Sequence, residues 1–372
     1  MAKRVLITGG AGFIGSHLAD ALLAAGYHVR ALDNLSPQVH GGGQKRPQYL
    51  HADVELLLGD VRSPEAVARS LVGVDAVVHF AAKVGVGQSM YEAAEYVAVN
   101  TLGTAVLLEA LAKRPVDRLV VASSMSIYGE GLYRAPDGRL VNDAERPLGR
   151  LCERDWEPRN AEGEQLEPLP TPETKSPALT SVYALSKYDQ ERMCLLMGRA
   201  YKIPTVALRF FNVYGPRQAL SNPYTGVLAI FASRYLNNKP PLVFEDGLQR
   251  RDFVSVHDVV KACRRALEVP EARDHVFNIG SGQSYTILEI ARRMAKVLGK
   301  ERLPPEITRT YRVGDIRHCF ASIATARQVL GFTPQVRLED GLAEMADWLG
   351  GQVAQDRVDQ ASAELAQRGL TL

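Results

Sequence analysis

A glycine-rich turn, Thr8-Gly9-Gly10-Ala11-Gly12-Phe13-Ile14-Gly15, stands between a short apolar run, Val5-Leu6-Ile7-Thr8, and a helical stretch over 17–25. The context restricts the fold more than the glycines do, because strand, tight turn and helix in that order open an alternating α/β chain. The alternation continues downstream. Residues 29–33, 54–58, 76–80 and 118–123 read as strands, with helical stretches over 64–71 and 91–113 between them. Uninterrupted Val, Ile and Leu fit strands buried on both faces. Right-handed crossovers then give a Rossmann-type doubly wound parallel sheet.

The rhythm breaks over 130–180, where Pro136, Pro147, Pro158, Pro168, Pro170, Pro172 and Pro177 stand among many charges. That composition suits a long ordered excursion or lid, covering a substrate or serving assembly, better than another βα unit. The sheet resumes at 205–211 and again at 275–279, and 226–236, 284–298 and 339–348 read as helices. The chain therefore divides into a dinucleotide-binding domain over 1–211, which contains the excursion, and a smaller C-terminal substrate-binding lobe over 212–350. Residues 274–280 return to the sheet, and 351–372 read as an exposed terminal helix or tail.

Composition removes several classes. A formal net charge of +2 without a Lys/Arg block argues against nucleic acid. No apolar run has membrane-spanning length. The start, Met1-Ala2-Lys3-Arg4, leads into a strand that glycines cut short, unlike a signal peptide. Cys152, Cys194, Cys263 and Cys319 are scattered and form no CxxC pair, so neither a zinc site nor a disulfide framework is expected. A reducing, cytoplasmic setting and no metal follow as expectations.

Two ends of a site can be read from the residues. At the first, Gly9, Gly12, Phe13, Ile14 and Gly15 let backbone N–H groups and a helix N-terminus approach a pyrophosphate. Asp33, before Asn34 at the end of the second strand, is placed to bind the adenosine ribose diol, and its charge would repel a 2′-phosphate, favouring NAD over NADP. Asp60-Val61, after another strand, is a reasonable adenine contact. At the second end, Tyr183 and Lys187 are four residues apart and share a helix face. A tyrosine titrating near pKa ~10 needs a neighbouring positive charge to act as a base at neutral pH. Ser124, at the carboxyl edge of the sheet, supplies a hydroxyl to orient a substrate oxygen, although alone it would read as a turn cap.

With His79-Phe80-Ala81-Ala82, Asn100, Ser123-Ser124 before Tyr128-Gly129, and Leu208-Arg209-Phe210-Phe211-Asn212-Val213-Tyr214-Gly215-Pro216, these motifs resemble the extended short-chain dehydrogenase/reductases, and within them the NAD-dependent nucleotide-sugar epimerases. The resemblance runs from Lys3 to about Leu349. It implies NAD as cofactor, held also by Ala81, Ala82, Lys83 and Asn100, with Tyr183 as base and Lys187 as its partner and ribose ligand. Ser124 would bind the reacting hydroxyl, with Ser126 beside it. Asn212 and Arg251 would hold the substrate pyrophosphate, and Arg312 and Asp315 a phosphate and the nucleotide ribose. Without the flanking motifs, the two arginines would read as surface ion pairs.

The implied chemistry is oxidation followed by reduction: Tyr183 takes the hydroxyl proton while hydride leaves the sugar carbon, the flat ketone turns over, and hydride returns to its other face. Dehydratases of this family carry an Asp-Glu pair directly after the position of Ser124. Here Met125 and Ser126 stand there, and neither can do that acid–base work. The long excursion and the 217–227 loop look like those of dTDP-L-rhamnose 4-epimerases, with UDP-glucose or UDP-glucuronate 4-epimerases as the alternative. A net nucleotide-sugar reductase or dehydrogenase, and more remotely a noncatalytic NAD-binding regulator, stay open. The resemblance also implies a homodimer joined by helices over 93–113 and 183–200.

Overall fold

The computed structural model describes residues 3–224, 226–352 and 356–371. Met1-Ala2 of the start, Thr225 of the 217–227 loop, and residues 353–355 and 372 of the terminal segment lie outside the described residues.

Seven strands form one sheet: β1 (Arg4–Thr8), β2 (His28–Asp33), β3 (Glu55–Leu58), β4 (Ala76–His79), β5 (Arg118–Ser124), β6 (Thr205–Phe210) and β7 (Val276–Ile279). Their order is β7-β6-β5-β4-β1-β2-β3, parallel throughout. The helices used below are α1 (Phe13–Ala24), α2 (Pro64–Ser70), α3 (Gly103–Lys113), α4 (Val182–Tyr201), α5 (Val227–Leu236), α6 (Val256–Glu268), α7 (Ile287–Val297), α8 (Leu338–Leu349) and α9 (Val358–Gln367). Alternate residues of one strand enter different cores. Val5 and Ile7 of β1 pack with α1 and α6 on one face. Leu6 packs with α2, α3 and α4 on the other. This double covering is why the strands read as continuous apolar runs. A third core, with Phe231, Ile290, Met294, Leu342 and Met345, joins α5, α7 and α8 beyond the sheet.

Several expectations move. The first helix begins at Phe13, with Gly12 as its N-cap, so the glycine motif itself supplies the first turn. The stretch over 91–113 is not one helix: a short turn, Ala93–Tyr96, passes into a π-helical turn, Val97–Leu102, before α3. The wider turn inserts a residue into a pattern that sequence periodicity reads as continuous, as such turns do near functional sites. The stretch over 284–298 opens with two strand residues, Tyr285–Thr286, before a Thr286–Glu289 capping box starts α7.

The excursion is a small folded unit. Leu132–Arg134 pairs antiparallel with both Leu140–Val141 and Glu167–Leu169 around a core of Tyr133, Ala135 and Leu166. A buried clasp of charges fastens it to the C-terminal lobe. Arg317, with 0% of its surface exposed, donates to Glu157 at 2.9 Å, Glu245 at 2.8 Å and Asp246 at 2.6 Å. Arg146 meets Glu130 at 2.9 Å and Glu245 at 2.8 Å. The terminal segment is not an exposed tail either. It carries α9, whose Val358, Ala361 and Leu365 are buried.

Candidate active site

A cleft of about 700 Å³ opens at the carboxyl ends of the strands and runs from the glycine turn into the C-terminal lobe. Its origin is topological. β1 lies between β2 and β4, so the loops leaving β1 and β4 diverge there and leave a crevice. At their bases, before they diverge, the two loops nearly touch: a Cβ on Gly9, whose φ is +70°, would lie 2.9 Å from Ala81 N. A Cβ on Gly15 would lie 2.4 Å from Gly9 O, so α1 packs on the turn only because that position is glycine. Gly12 faces the cleft. No side chain caps α1, and no acidic residue stands in its first turn. Open N–H groups at a helix start, with room before them, fit an anionic pyrophosphate.

Asp33 follows on the cleft wall. Its carboxylate accepts from Ala11 N at 3.0 Å and Leu35 N at 2.9 Å, which fixes its direction. Asn34 donates to Asp60 at 3.0 Å, and Arg62 clamps Asp60 through two side-chain bonds of 2.9 Å. The Arg62 guanidinium holds the Asp60 carboxyl down at about 2. Val61, Ala81, Ala82 and Lys83 complete this end, with the Lys83 ammonium bound to Glu92.

Asn100 is different. It is wholly buried and absent from the cleft wall. Its amide brackets the backbone of Lys83, accepting from Lys83 N at 2.7 Å and donating to Lys83 O at 3.0 Å. Asn100 thus positions the loop that lines the cleft. The π-helical turn puts it there, and no local pattern signals that.

At the centre stand Ser124 and Tyr183. Ser181 caps α4 by accepting from Ala184 N at 3.1 Å, and α4 brings Tyr183 under the end of β5. Ser124 does two things at once. Its Oγ accepts from Ser126 N at 3.1 Å, capping the turn after β5, and donates to Ser126 Oγ at 3.1 Å, beside the Tyr183 phenol. Burial pushes that phenol up, and the Ser124 hydroxyl opposes the rise. Lys187 lines the cleft one helical turn away, but its ammonium donates to Gln190 Oε1 at 2.6 Å. Burial lowers Lys187 to about 8. The lowering of Tyr183 expected from the lysine is thus not built into the protein alone, because burial dominates the phenol.

Gln190 belongs to a buried chain that sequence reasoning missed. It donates to Thr104 Oγ1 at 2.8 Å and meets His79 Nε2 at 3.1 Å, while His79 Nδ1 meets Thr8 Oγ1 at 2.7 Å. Burial holds His79 down at about 3, so it is a neutral link. The available signal was position: Gln190 lies three residues beyond Lys187 on the same helix face.

The far end is assembled from separate segments. Asn212 follows β6, and its N–H donates to Asp252 O at 3.0 Å. Arg251 is no surface ion pair. Its guanidinium donates to Arg250 O at 2.9 Å, Arg317 O at 2.8 Å and Ile316 O at 2.5 Å. Arg312 lies over the Phe244 ring at 4.4 Å and pairs with Asp315 at 2.8 Å. All four line the cleft, as does Ser126. The excursion does not: none of residues 130–179 belongs to the lining, and its contacts brace the site from behind. Arg146 of the excursion donates to Asp315 O at 2.7 Å, directly under the Arg312–Asp315 pair. The wall that sequence reading did not anticipate is α9, through Val358, Ala361, Ser362 and Leu365. Its apolar spacing of three and four residues was the available signal.

The NAD dependent epimerase/dehydratase family matches residues 5–149 and 159–280. The chain belongs to that family. Among curated proteins it is 36% identical to a dTDP-L-rhamnose 4-epimerase of Burkholderia thailandensis over 356 residues, covering 94% of this chain and 96% of the relative. It is 31% identical to human UDP-glucose 4-epimerase, covering 94% and 97%. Among solved structures, the UDP-glucose 4-epimerase of Thermotoga maritima with UDP-glucose superimposes with a TM-score of 0.76 at 30% identity, over 93% of this chain and 98% of that one. The UDP-glucuronic acid 4-epimerase of Bacillus cereus, in complex with UDP-glucuronic acid and NAD, gives 0.74 at 28% identity, over 93% and 99%. This epimerase is accordingly an NAD-dependent enzyme of the isomerase class, with the Rossmann-type fold of its family.

Proposed function

We propose that this NAD-dependent nucleotide-sugar 4-epimerase acts on dTDP-L-rhamnose, inverting C4 through a transient 4-keto sugar. The observation that carries the reaction is that Ser124 and the Tyr183 phenol stand beside one another in the cleft, with Met125 and Ser126 where a dehydratase needs an acid–base pair. Support for the sugar is the 36% identity to a dTDP-L-rhamnose 4-epimerase over nearly the whole of both chains. UDP-glucose and UDP-glucuronate are the competing substrates, because relatives named for them match over the same length.

In this reading Gly9, Gly12, Phe13, Ile14 and Gly15 hold the cofactor pyrophosphate, Asp33 and Asn34 its adenosine ribose, and Asp60-Val61 its adenine. Ala81, Ala82 and Lys83 line its nicotinamide half. NAD supplies a reversible hydride acceptor and, when oxidised, a positive ring beside the phenol. Tyr183 removes the C4 hydroxyl proton, and Ser124 fixes the oxygen from which it leaves. Lys187, held by Gln190, keeps a cation near the phenol and reaches the cofactor ribose. Asn212 and Arg251 grip the substrate pyrophosphate, so that the ketone turns while the nucleotide stays fixed. Arg312 and Asp315 exchange their mutual pairing for a phosphate and the nucleotide ribose.

A homodimer in the cytoplasm completes the proposal. Val97, Leu102, Leu185 and Leu196 leave apolar side chains exposed on the two helical segments expected to meet. Four free cysteines suit a reducing compartment, and no helix among the described residues is long and apolar enough to cross a membrane. The test is purified enzyme with dTDP-L-rhamnose, UDP-glucose and UDP-glucuronate in separate reactions, followed by sugar analysis and absorbance at the NADH band. A C4 epimer from dTDP-L-rhamnose without net NADH is expected. An epimer formed only from a UDP-sugar overturns the substrate, and stoichiometric NADH change without an epimer overturns the reaction.

A further inference from the structure

We infer that helix α9 is the specificity wall of the sugar site, selecting a nucleotide sugar that presents an apolar edge, a 6-deoxyhexose, over one bearing a hydroxymethyl or carboxylate there. The inference rests on the proposed reading of the cleft. Val358, Ala361 and Leu365 follow one another at three- and four-residue spacing on α9, line the cleft and are 9%, 7% and 4% exposed. They form a stripe whose one polar neighbour in the lining is the Ser362 hydroxyl.

The stripe is set against the reacting end. A Cβ on Gly87 would lie 3.3 Å from a Leu365 methyl, so the helix rests on the loop after β4. Two residues farther, Ser89 Oγ accepts from Tyr183 N at 3.0 Å, which links that loop to the proposed base. The opposite side is fixed to the segment carrying Arg312 and Asp315, where Val313 N donates to Leu370 O at 3.0 Å and Arg312 bridges to Thr371. The helix thus spans the cleft between the proton-transferring centre and the proposed nucleotide grip, where a sugar must lie.

The charges of the segment are already engaged elsewhere. Asp356 and Asp359 pair with Arg234 and Lys239. Glu364 accepts from the Tyr91 and Tyr224 hydroxyls at 3.3 and 3.2 Å, and Arg368 lies 4.3 Å over the Tyr91 ring. What remains toward the sugar is alkyl surface with the Ser362 hydroxyl at its side. A methyl group loses nothing against the stripe, whereas a carboxylate or hydroxyl set on Val358, Ala361 and Leu365 would surrender more water than one hydroxyl replaces.

The experiment uses the full chain and two readouts, calorimetric binding of dTDP-L-rhamnose and UDP-glucose, and turnover of each. Leu365→Asn places an amide in the stripe, and Ala361→Ser places a hydroxyl there with little change of volume should the first variant fail to fold. The expected result is a fall of about tenfold or more in the binding preference for the deoxy sugar, within the range that one group in an apolar pocket commands. Bound NAD should hold in both, and the melting temperature of Ala361→Ser should stay nearer wild type than that of Leu365→Asn, which loses buried apolar packing. A preference that moves less than twofold in a folded, NAD-loaded variant overturns the wall. Absence of turnover from the wild type with every donor would instead overturn the epimerase reading, while the binding preference still decides the wall.

Discussion

The two ends of the cleft are built on opposite plans. The cofactor end is almost contiguous in sequence: residues 8–15 make its turn, and strands on either side of β1 supply the rest from within the first 83 residues. In the proposed reading, backbone N–H groups of the glycine turn meet the pyrophosphate, so small changes of shape there matter most. The substrate end draws on β6, the segment around Arg251, residues 312–316 and α9. Guanidinium–carboxylate pairs hold it together, and the excursion braces it from outside the cleft. One end is stabilised by close packing, the other by a buried electrostatic clasp, and they should fail differently.

The largest effect is expected between them. Tyr183→Phe should lower kcat by about 10²–10⁴, the range for a positioned acid–base group, while leaving NAD content and the unfolding midpoint near wild type. A variant that turns over within tenfold of wild type would remove the phenol from the proposed role.

At the substrate end, Arg317→Met leaves Glu157, Glu245 and Asp246 facing one another without their shared cation. Breaking a buried pair in this way costs about 3–5 kcal/mol, to be read from urea unfolding. Affinity for the nucleotide should fall with it, since residue 317 directly follows the Arg312–Ile316 segment. A loss below about 1 kcal/mol would show that the clasp is not what holds this end.

At the cofactor end, Gly15→Ala tests close packing. Its Cβ would meet Gly9 O at 2.4 Å, and overpacking of this kind costs about 1–3 kcal/mol. NAD affinity should fall more than substrate affinity, as measured by fluorescence titration. Equal losses at both ends would break the contrast.

The smallest effect is acid sensitivity, which sharpens the comparison because each end carries a strongly depressed carboxyl, Glu157 being joined at the clasp by the lowered Asp246. Asp60 is held at about 2 chiefly by Arg62. Glu157 reaches about 2 because His318 and Arg317 outweigh its burial. A carboxyl lowered on folding contributes stability that is present above its unfolded pKa of about 4 and is lost as pH falls through its folded value. Melting temperature should therefore drop between about pH 4 and 2. Asp60→Asn and Glu157→Gln should each flatten that drop, Glu157→Gln more because its partners are less exposed. A slope unchanged in both variants would assign acid lability to other groups.

Much of this was legible in residue order. The sheet followed from Val/Leu runs because a strand covered on both faces has no polar alternation to hide it. The glycine turn, Asp33, Ser124 and Tyr183 were legible because each sits at a strand end or helix start that the local pattern marks. That Asn100 props the Lys83 loop was not legible, because a π-helical turn changes which face a residue takes without changing composition. The excursion was readable as a departure from the βα rhythm but not as a brace, since Glu245 lies 99 residues from Arg146 and Arg317 lies 187 from Glu130.

Sequence by itself determined the fold, the glycine turn and the residue types proposed for the reacting centre, all of which depend on neighbours within a few positions or on one βα unit. Tertiary structure alone decided that Lys187 rests on Gln190, that Arg146 and Arg317 clasp the excursion to the substrate end, and that α9 closes the cleft. The physical reason is the range of the interaction. Periodicity and turn chemistry are written along the chain, whereas a buried ion pair or an apolar wall exists only when distant segments exclude water together.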